Sequence, residues 1–346
     1  THAGPGPCRN PPALRIVITR NLPAYRAPWW LPGGHLQTIY PYFLLRRASP
    51  RYRRERWETS DGDFIDLDWL DEREDGAPLV ALFHGLEGGS GSHYATALMR
   101  GVARQRWRGV VIHFRGCSGE PNRLPRAYHS GDAGEIAWIL QRLRELNPAT
   151  ALFAAGVSLG GNALLKWLGR EQARARAIVD AAAAVSAPMD LMTAGDRLSN
   201  GLNRLYGKHF LQTLKIKSLA KLQRFPGLFD ANIVRCARTL REFDNVVTAP
   251  LHGYRDTDDY WTRASSKPDL RHIEVPTLIV HARNDPFLPG RYLPAAGKVS
   301  ASVTLDFPDG GGHTGFASGP FPGNLDWLPE RLLEFFSDNV STEHHQ

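Results

Sequence analysis

Three side chains far apart in the chain, Ser158, Asp285 and His313, are of the types and in the order that make a hydroxyl nucleophilic. A serine hydroxyl attacks nothing until a base takes its proton, and an imidazole serves as that base when an acid fixes its tautomer. Ser158 lies in Gly156-Val157-Ser158-Leu159-Gly160, between the apolar run Ala151–Val157 and a helical pattern that begins at Asn162. A G-x-S-x-G in that position predicts a tight strand-to-helix turn that lifts the hydroxyl clear of a sheet. Glycine is required at 156 and 160 because a side chain would crowd the turn. Asp285 follows the run PTLIVHA, and His313 follows the run SVTLDF within PDGGGHTGF. Each is therefore expected on the loop just past a strand, in the chain order serine, acid, histidine.

The reaction also needs donors for a developing oxyanion. The backbone N–H of Leu159 is one candidate, at a helix start where unsatisfied donors point outward. The second is the N–H of Leu86, in the turn His84-Gly85-Leu86-Glu87-Gly88-Gly89 after the run LVALF; His84 itself is read as structural. Asp190, Asp306 and Asp309 compete with Asp285 for the acid, Asp190 most seriously because it too follows a strand-like run. Cys117, after GVVIHF, is a second nucleophilic type near the expected mouth, although a lining role suits it better.

These residues need a scaffold that delivers them to one rim. Two alternating segments from Arg54 to Leu70 flank Asp61-Gly62 and predict a hairpin. Buried-strand runs follow at 79–83, 109–114, 151–157, 177–185, 276–282 and 302–307. Helical spacing fills Tyr94–Gln105, Asp132–Leu146, the stretch after Asn162, and 327–338. Strands alternating with helices after a hairpin predict a mostly parallel sheet with helices on both faces. The interval 188–272 breaks the alternation with several helices and no strand, as expected of a helical lid over the carboxyl ends of the strands. The organisation is thus an N-terminal arm (1–50), an α/β core (51–187 and 273–340) and the lid insertion (188–272). Residues 1–24, rich in Pro and Gly, are expected to be loosely ordered until they meet the body. The arm continues as Pro28-Trp29-Trp30 and an aromatic run to Phe43. It is read as packing onto the domain rather than anchoring in a membrane interface, because its prolines oppose a long amphipathic helix.

At 346 residues, 42% hydrophobic and 22% charged, the chain has an ordinary globular composition. Its net charge of +7 raises nucleic-acid binding, but the arginines are scattered, apart from Arg51–Arg56, and no zinc-finger, RNP or heptad pattern accompanies them. Nucleic acid is therefore not an expected partner, while peripheral contact with anionic lipid stays open. Three cysteines without a C-x-x-C pair argue against a disulfide framework and favour a reducing, cytoplasmic compartment. The opening THAGPGPCRN has neither an initiator Met nor an apolar signal core, and no apolar run reaches membrane-spanning length. No metal constellation stands out, and Gly201–Lys208 fails as a phosphate loop because His209 replaces the Ser/Thr.

The segments PWWLPGGHLQT, FHGLEGGSGSHY, HFRGCSGEPNRLPRAYHSG, GVSLGGN, REFDNVVTAPLHGY, HARNDPF and GGGHTGF resemble the YheT-like esterase family (AB hydrolase family 4 type) of the α/β-hydrolase fold. The resemblance spans about residues 28–320. It implies a serine hydrolase of carboxylic esters or lipids, with Ser158, Asp285 and His313 as the triad, no cofactor and no metal. Some eukaryotic members act as phospholipases and others as acyltransferases that form medium-chain ethyl esters. Where the family usually has Asn-Pro before His-Leu-Gln-Thr, this chain has Gly33-Gly34. The expectation is cleavage of short-to-medium-chain acyl esters through an acyl-serine. Its alternatives are acyl transfer to an alcohol, and a non-catalytic ligand-binding relative. Oligomeric state is not legible.

Overall fold

The computed structural model describes residues 23–45, 48–70 and 76–340. Apart from its last two residues, the expectation for 1–24 lies outside them. The predicted hairpin is β1 (Tyr52–Glu58) and β2 (Phe64–Leu70), closed where Gly62 takes a positive φ of 82°. Six further strands complete one sheet: β3 (Leu79–Phe83), β4 (Arg108–His113), β5 (Leu152–Val157), β6 (Ala181–Val185), β7 (Thr277–Val280) and β8 (Val303–Asp306). The order is β1-β2-β4-β3-β5-β6-β7-β8. β2 pairs antiparallel with both β1 and β4, and every pairing from β4 to β8 is parallel. β6 begins at Ala181 rather than at 177 because the chain is still turning. The Asp180 carboxylate accepts from Leu152 N–H and Arg144 at the strand's foot.

Side chains alternate across the buried strands, so each run fills two cores. Leu79, Ala81 and Phe83 meet α3 (Ala133–Leu146) and α4 (Leu159–Glu171) on one face. Val80 and Leu82 meet α2 (His93–Arg104) on the other, beside the C-terminal helix Trp327–Asp338. The helical stripe Ile136, Ile139, Leu140 and Leu143 faces the first core, as its spacing predicts. A single turn, α5 (Ala173–Arg176), leads into β6.

Between β6 and β7 the chain runs through α6 (Leu191–Leu198), α7 (Arg204–Arg224), α8 (Ala231–Cys236), α9 (Leu240–Val246), α10 (Thr248–Leu251) and α11 (Thr257–Ala264). These helices share a core of their own around Leu211, Val234, Phe243, Tyr260 and Trp261. The C-terminal helix is α12. No helix among the described residues is long and apolar enough to cross a membrane.

The arm packs onto the domain, but its prolines do not keep it from being helical. Gly34–Leu44 forms an eleven-residue helix, α1, with Pro41 inside it. Pro41 has no N–H to offer the Gln37 carbonyl, and Gly315 approaches that carbonyl too closely for any side chain.

Candidate active site

The turn that carries Ser158 is strained as its glycines imply. Ser158 has φ 52° and ψ −119°, in the left-handed half of backbone space that a serine rarely occupies. A Cβ on Gly160 would stand 2.5 Å from the Phe83 carbonyl oxygen, and one on Gly156 2.6 Å from that of Gly160. The strain is held by Ser158 N–H donating to Val185 O and by α4 starting at Leu159, three residues before the helical pattern becomes legible.

Asp285 and His313 come from the loops after β7 and β8, and all three predicted residues meet at the carboxyl rim. His313 Nδ1 is 2.8 Å from Asp285 Oδ2, and His313 Nε2 is 3.0 Å from Ser158 Oγ. An ionised carboxylate only accepts, so Nδ1 carries the proton and Nε2 is free to accept from the serine hydroxyl. Asp285 is fully buried. Burial alone would raise its pKa, but the imidazoles of His313 and His281 hold the carboxyl well below the usual range. Its second oxygen accepts from Phe287 N–H at 2.8 Å, and the Phe287 ring lies 4.1 Å from the imidazole of His313.

The competing residues are engaged elsewhere. Asp190 caps α6 by accepting from Thr193 N–H and pairs with Lys267. Asp306 pairs with Arg331, and Asp309 is exposed beside Arg283. Gly116 rather than Cys117 lines the cavity, and burial pushes the Cys117 thiol up to about 11, so it is protonated at neutral pH.

The turn after β3 is braced on both sides of Leu86. Gly85 N–H donates to Tyr94 Oη at 2.8 Å, and Glu87 N–H donates to Tyr128 Oη at 2.8 Å. His84 is structural, as read. Its Nε2 accepts from Phe114 N–H, which leaves Nδ1 to donate to Gly85 O, and burial lowers its pKa to about 3, keeping the ring neutral. Among the described residues, neither Leu86 N–H nor Leu159 N–H donates to a protein group. Both flank Ser158 at the cavity.

That cavity, of about 190 Å³, opens between the rim and the helices after β6. Leu191, Leu198, Phe210, Leu240, Phe243 and Val247 make its wall apolar, while Glu87, Lys217 and Lys221 lend charge at another side. Lys217 pairs with Glu87 at 2.8 Å, and Lys221 donates to the carbonyls of Pro125 and Arg126.

Sequence reasoning missed the brace beneath His313. Gln37 Oε1 accepts from Gly311 N–H (2.7 Å) and Asn284 Nδ2 (2.9 Å), while its Nε2 donates to Leu31 O (2.8 Å). Thr38 Oγ1 accepts from His313 N–H at 2.9 Å, and Asn284 Oδ1 accepts from Gly312 N–H. α1 is thus the strut that ties the acid loop to the histidine loop. Gly34 fits because any Cβ there would collide with the Asn284 carbonyl. His35 points elsewhere, stacking on Tyr206 with Nδ1 3.1 Å from its hydroxyl. The sequence signals for the brace are an uncharged Gln-Thr pair among aromatics and its place in the segment PWWLPGGHLQT.

Residues 78–320 match the alpha/beta hydrolase fold family. The chain is 38% identical over 307 residues to "Putative esterase YheT" of Escherichia coli, covering 88% of this chain and 90% of that one. It is 30% identical over 324 residues to human "Phospholipase ABHD3", covering 91% of this chain and 79% of that one. Among solved structures, an esterase from Exiguobacterium antarcticum superposes with a TM-score of 0.53 at 17% identity, covering 82% of this chain and all of that one, a likeness of fold alone. With its sheet order, its strained serine turn and its long match to YheT, the chain belongs to the YheT-like family of α/β hydrolases.

Proposed function

We propose that this chain is a serine hydrolase of carboxylic esters with short-to-medium acyl chains, working through an acyl-serine intermediate. Esterases and lipases among its relatives support ester hydrolysis in general; the mechanism and the substrate range are the finer reading. The observation that carries it is the unbroken line Asp285–His313–Ser158, at 2.8 and 3.0 Å. Ser158 Oγ attacks the ester carbonyl as its proton passes to His313 Nε2, and Asp285 stabilises the imidazolium without taking the proton. The N–H groups of Leu86 and Leu159 receive the oxyanion. The alkoxide then leaves with the proton from His313. Water repeats the sequence on the acyl-serine, releasing the acid and restoring Ser158.

The apolar wall at Leu198, Phe210 and Phe243 takes the acyl chain, and the helices from α6 to α11 act as the lid that keeps water from it. The test is a series of p-nitrophenyl esters from acetyl to palmitoyl, run with and without added ethanol. A short-to-medium optimum with free acid as the main product supports the reading. A palmitate-peaked profile overturns the chain-length assignment, and ethyl ester as the main product at modest ethanol overturns plain hydrolysis.

A further inference from the structure

α1 is amphipathic the wrong way round. Its polar residues Gln37 (3% exposed) and Thr38 are buried against the histidine loop, while Leu36 (51%), Ile39 and Phe43 (64%) face solvent on one stripe at i, i+3 and i+7. Beside it lies the start of α7, joined through His35–Tyr206 and the edge contact of Tyr42 with His209. There Leu202 and Leu205 (66%) are exposed as well, with Ile216 further along the stripe of Leu205, His209 and Gln212. On the flank of α1, Trp30 packs edge-on against both Tyr40 and the exposed ring of Phe321. Large apolar side chains gathered on one water-facing surface mark a docking face.

Charge decides what it docks on. From Pro23 to Arg51 the sequence holds no Asp or Glu but contains Arg26, Arg46, Arg47 and Arg51. α7 likewise has no acid from Arg204 to Arg224, and both Arg204 and Lys208 are exposed. Exposed apolar and aromatic side chains on segments that carry Arg and Lys and no acid match an anionic bilayer surface, where rings sit at headgroup depth and cations meet phosphate. A second copy of the same face would instead bring like charges together. We infer that the outer face of α1 and the first turns of α7 form a docking surface for anionic membranes. α7 also carries Phe210 and Leu214, which wall the cavity, so the helix that docks is one that lines the site.

The experiment is co-sedimentation with phosphatidylcholine vesicles, with and without a minority of phosphatidylglycerol, at low and high salt. It reads binding without turnover, so its failure is separate from any failure of the esterase reading. The wild type is expected to sediment with the anionic vesicles and to be released by salt. Leu36→Glu/Phe43→Glu and Arg204→Glu/Lys208→Glu should each weaken binding by roughly tenfold or more. Their melting temperatures and turnover of a water-soluble ester should stay unchanged. Leu146→Glu, at the exposed end of α3, should bind as the wild type does. Absence of binding to anionic vesicles overturns the proposal. So does equal loss in Leu146→Glu, or a wild-type dimer that the α1 substitutions dissolve.

Discussion

Replacing Gln37 by leucine keeps the side chain's bulk and removes its hydrogen bonding, so it isolates what the arm does for the site. The Gln37 oxygen is the acceptor for the buried N–H of Gly311 and for the Asn284 amide. Stranding the first costs about 1–3 kcal/mol, and stranding the half-buried amide costs less, so about 2–4 kcal/mol falls on the two loops that carry Asp285 and His313. The loops escape part of that cost by moving toward water. Gly311 is two residues from His313, so the movement reaches the imidazole. A misplacement near 1 Å lowers turnover by about 10²-fold. The expectation is therefore a kcat about 10²-fold lower, with KM little changed and a cooperative but lower melt. Steady-state kinetics on p-nitrophenyl butyrate with parallel thermal melts measure both. A folded Gln37→Leu variant with kcat within about twofold of wild type would refute the claim that α1 positions the histidine.

Other substitutions probe other parts of the site. Tyr128→Phe removes the hydroxyl that accepts from Glu87 N–H, and the loosened turn should cost about tenfold in kcat with KM unaffected; unchanged kcat would show that Leu86 needs no such brace. Gly160→Ala drives a methyl against the Phe83 and His84 carbonyls and should lower stability by about 3 kcal/mol or prevent folding, read from soluble yield and melting temperature. Asp68 is buried, which alone would raise its pKa. His113, Arg54 and Ser90 nevertheless hold it well below the usual carboxylate range. Because its folded value is depressed, the stability it adds is complete above about pH 4 and is lost as pH falls below that. Urea unfolding should show a weaker acid-limb slope in Asp68→Asn, and an identical slope would contradict the assignment.

The α/β alternation and the serine turn were readable because both depend on short-range physics. Continuous apolar runs mark strands buried on two faces, as at Leu79–Phe83, and glycines at 156 and 160 mark a turn with no room for side chains. The placing of Asp285 and His313 on loops past strands was legible locally, although only the fold shows that Asp285 rather than Asp190 meets His313, the Asp190 carboxylate turning to cap α6. The brace at Gln37, Thr38 and Asn284 left almost no local trace. Its partners are separated by well over two hundred residues, and hydrogen bonds between distant loops obey no periodicity. The helix at Gly34–Leu44 was obscured for a related reason. Its buried face is polar and its solvent face apolar, the inverse of the pattern by which a surface helix is recognised, and Pro41 interrupts it.

The central claim, that Ser158 is made nucleophilic by His313 held on Asp285, is tested most directly by covalent capture. The protein is treated with a fluorophosphonate and the adduct is mapped by peptide mass spectrometry. A single adduct on Ser158, absent in Ser158→Ala and formed far more slowly in His313→Ala, is the predicted result. An unmodified Ser158 in folded wild-type protein, or labelling at an undiminished rate without His313, would contradict it.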